Sequence, residues 1–324
     1  MLVKNNLIKA FGGELYMPAS DANNNLCSAQ YIREVMVSAG VTFKKGYGQN
    51  FLINPVVPKK TADAAAKSGA PCALEIGPGI GALTAELCAR FERVVAVEID
   101  ETLIPILNKT LASYDNVTII KGDFLDVDIK AISREIFGGK NYAVCANLPY
   151  YITSPIIMKL LEAKDPSMLS ITLMVQSEVA TRLTASPGTS DYGAITVAVS
   201  YYGRARRLFS VSPGSFMPQP KVSSAVISIE LYKKGQYPVN PKDEELMFAL
   251  MRAAFGKRRK MLINALTSAS LPKRYGSGVK ITKEIAKAAV ELANVDPSVR
   301  GETLSISQFA ALSDALCDII SPKL

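Results

Sequence analysis

Short apolar runs and amphipathic stretches alternate through the first two thirds of the chain. Runs of β-branched and small apolar residues recur at 73–76, 94–97, 117–120, 142–146 and 170–176. Each is bounded by glycine, charged or turn-forming residues, the mark of a buried strand. Between them, apolar positions spaced three and four apart predict helices at 56–68, 82–90, 102–113, 129–137 and 154–163. In the third of these, Leu103, Ile106, Leu107 and Leu111 form one stripe and are expected in the core. A further helix is predicted at 28–39, with Gly40 as its cap. Strand and helix in alternation predict an α/β fold on a mostly parallel sheet.

Past residue 176 the pattern changes. Residues 193–202 alternate loosely with β-forming side chains. So do 222–231, with Val222, Ala225, Ile227 and Ile229 apolar. These two stretches predict a late antiparallel hairpin, with Arg204, Arg206 and Arg207 between its strands. Glu178 and Arg182, four apart on a predicted helix, suit an exposed ion pair. Gly235, Pro238 and Pro241 make 234–242 read as a linker. Beyond it come only helical patterns, at 244–255, 257–268, 282–293 and 305–319. The expected organisation is a poorly ordered extension over 1–27, an α/β domain over 28–234 and a small all-α domain over 235–324.

Composition narrows the chemistry. The 324 residues include no histidine, which removes histidine triads and histidine metal sites. The five cysteines are scattered with no Cys-x-x-Cys pair, so neither a zinc site nor a disulfide framework is expected. No apolar run approaches the roughly 20 residues needed to cross a bilayer, and a cytoplasmic location is expected. The 37 Lys and Arg outnumber the 29 Asp and Glu, for a net charge of +8. Basic clusters at Arg204, Arg206 and Arg207, at Lys257, Arg258, Arg259 and Lys260, and at Lys273 and Arg274 suit a phosphate backbone. Charge alone also fits a solvated face.

The candidate chemistry sits at the ends of the predicted strands. The first runs into Gly77-Pro78-Gly79-Ile80-Gly81 and then a helix, the nucleotide-binding opening of a doubly wound sheet. The third glycine comes one residue earlier than in the dinucleotide G-x-G-x-x-G, which disfavours a nicotinamide enzyme. Gly77, Gly79 and Gly81 are the candidates for close backbone approach to a cofactor. Glu98 ends the second strand, where a carboxylate accepts from ribose hydroxyls. Asp123 follows the third and could accept from an adenine amine. The 142–146 strand ends in Asn147-Leu148-Pro149-Tyr150: an amide, carbonyls held by a proline, and an aromatic face. These groups suit a planar ring carrying an amine, and equally a plain strand-to-helix turn.

The motifs Gln49-Asn50-Phe51-Leu52, Glu75 to Gly81, Glu98-Ile99-Asp100, Gly122-Asp123, Asn147 to Tyr150, Phe216 to Val222 and Phe255-x-x-Arg258-Arg259-Lys260 follow one another in a known order. Over roughly residues 28–320 the chain resembles the ribosomal RNA adenine dimethyltransferases, and within them the bacterial small-subunit enzymes. The resemblance implies a Rossmann-like S-adenosylmethionine-dependent methyltransferase sheet with a small C-terminal all-α domain. It implies dimethylation of the 6-amines of two adjacent adenosines near the 3′ end of 16S rRNA, within a small-subunit ribosomal particle. By the same resemblance Asn50, Leu52, Gly77, Glu98, Asp123 and Asn147 line the S-adenosylmethionine site. Asn147, Leu148, Pro149, Tyr150 and Phe216 hold the target base, and the basic clusters with Lys221 grip RNA. A monomer is expected. The rival readings are a large-subunit (23S) enzyme of the macrolide-resistance type and an assembly factor without essential catalysis.

Overall fold

The computed structural model describes residues 26–41, 49–233, 235–257, 259–276 and 279–320. The extension expected over 1–27 lies outside these residues, except that Leu26 and Cys27 are described and buried.

Seven strands form one sheet in the order β4-β3-β2-β5-β6-β9-β7. In chain order these are β2 (Cys72–Ile76), β3 (Arg93–Glu98), β4 (Val117–Lys121), β5 (Tyr142–Asn147), β6 (Met168–Gln176), β7 (Gly203–Val211) and β9 (Ser224–Leu231). β1 (Phe51–Leu52) and β8 (Phe216–Met217) pair antiparallel in a separate short ladder. Strands β2 to β6 run parallel, and β9 and β7 complete the edge antiparallel. β2 is buried along its whole length. A strand covered on both faces needs apolar side chains at every position, which is why its sequence is a run and not an alternation. After β2 the chain moves outward to β3 and β4, then returns to β5 on the other side of β2. The strand order therefore reverses between β2 and β5, and ligands of open α/β sheets bind at such a reversal, beyond the strands' carboxyl ends.

The helix predicted at 28–39 is present as Ala29–Ser38. It closes as expected at Gly40: Gly40 N–H donates to Val37 O at 3.0 Å and Val41 N–H to Met36 O at 2.9 Å, a Schellman pair. The stripe Leu103, Ile106, Leu107 and Leu111 is buried. The Glu178–Arg182 pair is present at 2.7 Å on an exposed face.

One element differs in kind from the expectation. Residues Ala194–Tyr202 form an α-helix, not a strand. Its side chains are β-formers, but the segment is apolar nearly all round, with Thr196, Val197, Ala198, Val199, Tyr201 and Tyr202 all buried. A helix buried on most sides carries no 3.6-residue contrast, so periodicity could not identify it. Thr196 Oγ1 accepts from Gly193 N–H at 3.1 Å and donates to Arg182 O at 2.6 Å, anchoring the first turn. Gly203 ends the helix because the chain must pass against β9 there. A Cβ on it would lie 2.5 Å from the Glu230 carbonyl oxygen. The outer antiparallel partner of β9 is thus β7, and Arg204, Arg206 and Arg207 lie within that strand, not between strands.

Residues 235–320 contain helices Glu244–Gly256, Leu262–Leu266, Lys283–Leu292 and Ile306–Ile320 and, among the described residues, no strand. The second is shorter than the predicted 257–268. Lys257, Arg259 and Lys260 are exposed, and a like-charged run without an apolar residue has no face to bury. This part shares its core with the sheet: Leu246, Leu250, Phe309 and Leu312 belong to the same buried cluster as Leu74, Val144 and Ile171. Glu244 draws the seam together, accepting from Tyr202 Oη at 2.7 Å and Tyr201 Oη at 3.2 Å and pairing with Lys164 Nζ at 2.7 Å. Tyr202 stacks on Phe248, centroids 5.7 Å apart.

Candidate active site

A cleft opens at the reversal between β2 and β5. It encloses about 810 Å³ of empty space, counting the part open to solvent. Its lining comes from four stretches far apart in sequence: Gln49 to Leu52, Glu75 with the glycine loop and the start of the helix after it, Glu98 and Ile99 with Leu103, and Asn147 to Tyr150.

Hydrogen bonds fix these stretches to one another. Gln49 Nε2 donates to Asp100 Oδ2 at 2.8 Å, tying the β1 segment to the end of β3. Glu98 Oε2 accepts from Gly79 N–H at 3.2 Å and Oε1 from Asp100 N–H at 2.8 Å, joining β3 to the glycine loop. Asn147 Nδ2 donates to Asn50 O at 3.2 Å. That last bond settles the orientation of the amide: with its N–H side turned to a carbonyl, Oδ1 is the atom left to accept. Pro149 O is taken up by Ile152 N–H at 3.3 Å and Thr153 Oγ1 at 3.2 Å. Tyr150 is held by its hydroxyl, 2.9 Å from Ser224 Oγ on β9.

Gly79 is required twice over. Its φ is +63°, and a Cβ would lie 3.2 Å from the Phe51 ring. Leaving out that Cβ allows the loop to close over β1.

Two carboxylates sit in this cleft under poor solvation. Glu98 is 4% exposed, and burial pushes its carboxyl above the ordinary range against the pull of the Asp100 and Gly79 N–H groups. Glu75 is 1% exposed and Oε2 has no hydrogen-bond partner. Burial pushes its carboxyl up to about 8, with the charge of Glu98 adding to the rise. Sequence reasoning quoted Glu75 only as a letter of a motif. The available signal was an acid as the fourth of five residues in an otherwise apolar buried strand.

Of the other candidates, Gly81 begins the helix Ala82–Cys88 with its missing Cβ turned towards Leu111 rather than the cleft. Asp123 follows β4, and its Oδ1 accepts from Leu125 N–H at 2.8 Å. Phe216 is 2% exposed and packs with Leu52, Met174 and Val226, behind the cleft wall. Lys221 and Arg204, Arg206 and Arg207 are exposed on or beside the antiparallel edge. Lys257, Arg259 and Lys260 surround a second concavity with Phe255 and Asn264. Arg258 lies outside the described residues. No group of three or more Cys, Asp or Glu placed to hold a metal occurs among the described residues, and none of their helices is long and apolar enough to cross a membrane.

Known structures share this architecture. A dimethyladenosine transferase from Plasmodium falciparum matches with a TM-score of 0.64 at 25% identity, covering 81% of this chain and 95% of that one. The 23S rRNA methyltransferase ErmE matches with a TM-score of 0.58 at 25% identity, covering 82% and 99%. With the cleft at the switch point, the fold defines a Rossmann-like methyltransferase. Sequence comparison is finer. The ribosomal RNA small subunit methyltransferase A of Alkaliphilus oremlandii is 43% identical over 90% of this chain and 98% of its own. The protein of the same name from Geobacillus thermodenitrificans is 48% identical over 88% and 94%. The family model for ribosomal RNA adenine dimethylase matches residues 40–300. The chain belongs to that family.

Proposed function

We propose that this chain transfers methyl groups from S-adenosylmethionine to the 6-amines of adenosines in small-subunit ribosomal RNA, two methyls on each of two adjacent bases. The observation that carries the reading is the pinned amide of Asn147, with its free Oδ1 at the cleft beside Tyr150.

The cleft fits the cofactor. The glycine loop leaves room for backbone contact, Glu98 is placed for ribose hydroxyls, and the orphan oxygen of Glu75 suits a cationic group. Asn50, Leu52, Gly77, Gly79, Glu98, Asp123 and Asn147 are the residues assigned to hold it. When bound, it supplies an electrophilic methyl on a sulfonium.

The residues of the chain do the rest. An adenine amine is a weak nucleophile because its lone pair is delocalised into the ring. Asn147 Oδ1 and the Leu148 carbonyl accept its N–H bonds and hold the amine out of conjugation. Tyr150 offers a face for the base, fixed by its bond to Ser224. Positioning of this kind supplies much of a rate enhancement. The amine is acidic only after methylation, so no strong general base is needed before attack. The absence of histidine is no obstacle.

Residues 28–234 carry transfer, and 235–324, with Lys257, Arg258, Arg259 and Lys260, grip RNA phosphates together with Arg204, Arg206, Arg207 and Lys221. Phosphate contacts position but do not specify, so recognition rests on RNA shape in a small-subunit particle in the cytoplasm. The relatives' names, at 43–48% identity, support the small-subunit reading over the 23S one, whose solved representative is 25% identical. Incubating the protein and labelled S-adenosylmethionine with unmethylated small-subunit and large-subunit particles separates them. Label confined to small-subunit adenines is expected, and label in the 23S RNA would reverse the choice.

A further inference from the structure

Tyr151 is the one aromatic side chain that is exposed among the described residues, at 65%. It stands one residue past the Asn147–Tyr150 corner, in the 3-10 turn Tyr150–Ile152. Its neighbours in the turn have clear structural reasons for their places. Tyr150 is bonded to Ser224, and Ile152 packs on the main core. No ring contact or hydrogen bond to a described residue holds Tyr151. A large apolar ring left in water at the mouth of a base-binding cleft is an arrangement that core packing does not explain.

The turn connects through serines to basic residues. Ser224, which holds Tyr150, is preceded by Ser223, whose carbonyl accepts from Ser177 N–H at 2.9 Å. Ser177 Oγ lies 3.5 Å from Arg207 Nη2. The same loop carries Lys221, exposed, and Val222, 45% exposed. A short chain of contacts thus links the Tyr150–Tyr151 turn to charge suited to phosphate.

We infer that Tyr151 is the stacking platform for the nucleotide next to the target adenosine. The inference rests on the proposed transfer to RNA adenines. A base that enters the Tyr150 pocket must leave its stack, and its neighbour then loses one covered face. Tyr151 replaces that face and holds the extruded conformation open. An aromatic platform is tolerant of base identity, because every base presents a π-face. The role is positioning: Tyr151 acts on the RNA beside the reacting atoms and not on the amine itself.

The test compares Tyr151→Phe, Tyr151→Leu and Tyr151→Ala in the full-length protein, with unmethylated small-subunit particles as substrate. Cofactor affinity is read by calorimetry and thermal stability alongside. The expected result is a loss of kcat/KM for the particles of roughly tenfold or more in the Leu and Ala variants. The Phe variant stays near wild type, and cofactor affinity and Tm are unchanged in all three. Leucine keeps apolar bulk without an aromatic face, so its failure beside the success of phenylalanine is what a merely structural role would not produce. Three variants all within twofold of wild type overturn the inference. So does a loss that follows Tm or cofactor affinity. A wild-type protein that methylates no RNA refutes the proposed function, and the Tyr151 inference with it.

Discussion

Glu75→Gln should make the protein more stable at pH 8 and leave it almost unchanged at pH 5. Glu75 is buried at the floor of the cleft with one oxygen unpartnered, and its carboxyl is raised from 4.5 to about 8. A folded acid whose pKa lies above its unfolded value binds its proton more tightly in the folded state. Its burden is absent below about 4.5, grows through the interval and is complete above about 8. At pH 7 the offset corresponds to about 3 kcal/mol at 1.36 kcal/mol per pH unit. Water entering the cleft screens part of it, so roughly 1–3 kcal/mol is expected. No histidine titrates in this window, and Glu98, also raised by burial, is common to both proteins, so the difference between them reads Glu75. Ordinary carboxylates have finished titrating by pH 5.5, and burial pushes the thiols of Cys27 and Cys88 to about 12. Urea denaturation of the cofactor-free protein at half-unit steps from pH 5 to 8.5 is the assay. Wild-type stability should fall with rising pH, and the Gln variant should be flatter, the curves parting by 1–3 kcal/mol at pH 8. Parallel curves, or a wild type that gains stability as pH rises, would refute the reasoning.

Three further substitutions probe the cleft and the helical part that packs on the sheet. Glu98→Ala should weaken cofactor binding tenfold or more in calorimetry, and an unchanged affinity removes Glu98 from the ribose role. Gly79→Ala should cost about 1–2 kcal/mol in denaturant melts, because alanine resists the left-handed backbone, and should also reduce cofactor affinity as Phe51 is displaced. Asp243→Ala should destabilise by about 2–4 kcal/mol. Its carboxylate caps the helix at Leu246 N–H and accepts from Arg274 Nε at 2.9 Å and Tyr275 Oη at 2.6 Å. Burial alone would raise this acid, but the Arg274 and Tyr275 bonds hold it below its ordinary value. Its contribution is therefore present at neutral pH and lost as pH falls through the carboxylate range, which an acid titration of the melt would show.

The parallel half of the sheet could be read from the sequence because burial on both faces writes itself as unbroken apolar runs between turn residues. The cleft was legible for a related reason: Gly77, Gly79 and Glu98 stand where strand patterns stop, and a strand's end is visible in one dimension. What was hidden needed the third dimension. Ala194–Tyr202 is wrapped by protein on most sides, so its sequence has no polar face to reveal a helical period. Glu75 looked like one more motif letter until its neighbours proved to leave it dry. The pinning of Asn147 by Asn50, 97 positions away, depends on the β1–β8 ladder, and two-residue strands are too short to show a pattern. The exposure of Tyr151 was hidden in the same way, because an aromatic beside other apolar residues reads as core.

The central claim is that Asn147 Oδ1 holds an adenine amine for methylation. It is tested most directly by incubating unmethylated small-subunit particles with labelled methyl donor and either wild-type or Asn147→Ala protein, followed by mass spectrometry of the RNA. Dimethylated adenosines with the wild type, and none with a variant that keeps its Tm, are the predicted result. Equal methylation by the two proteins would contradict it.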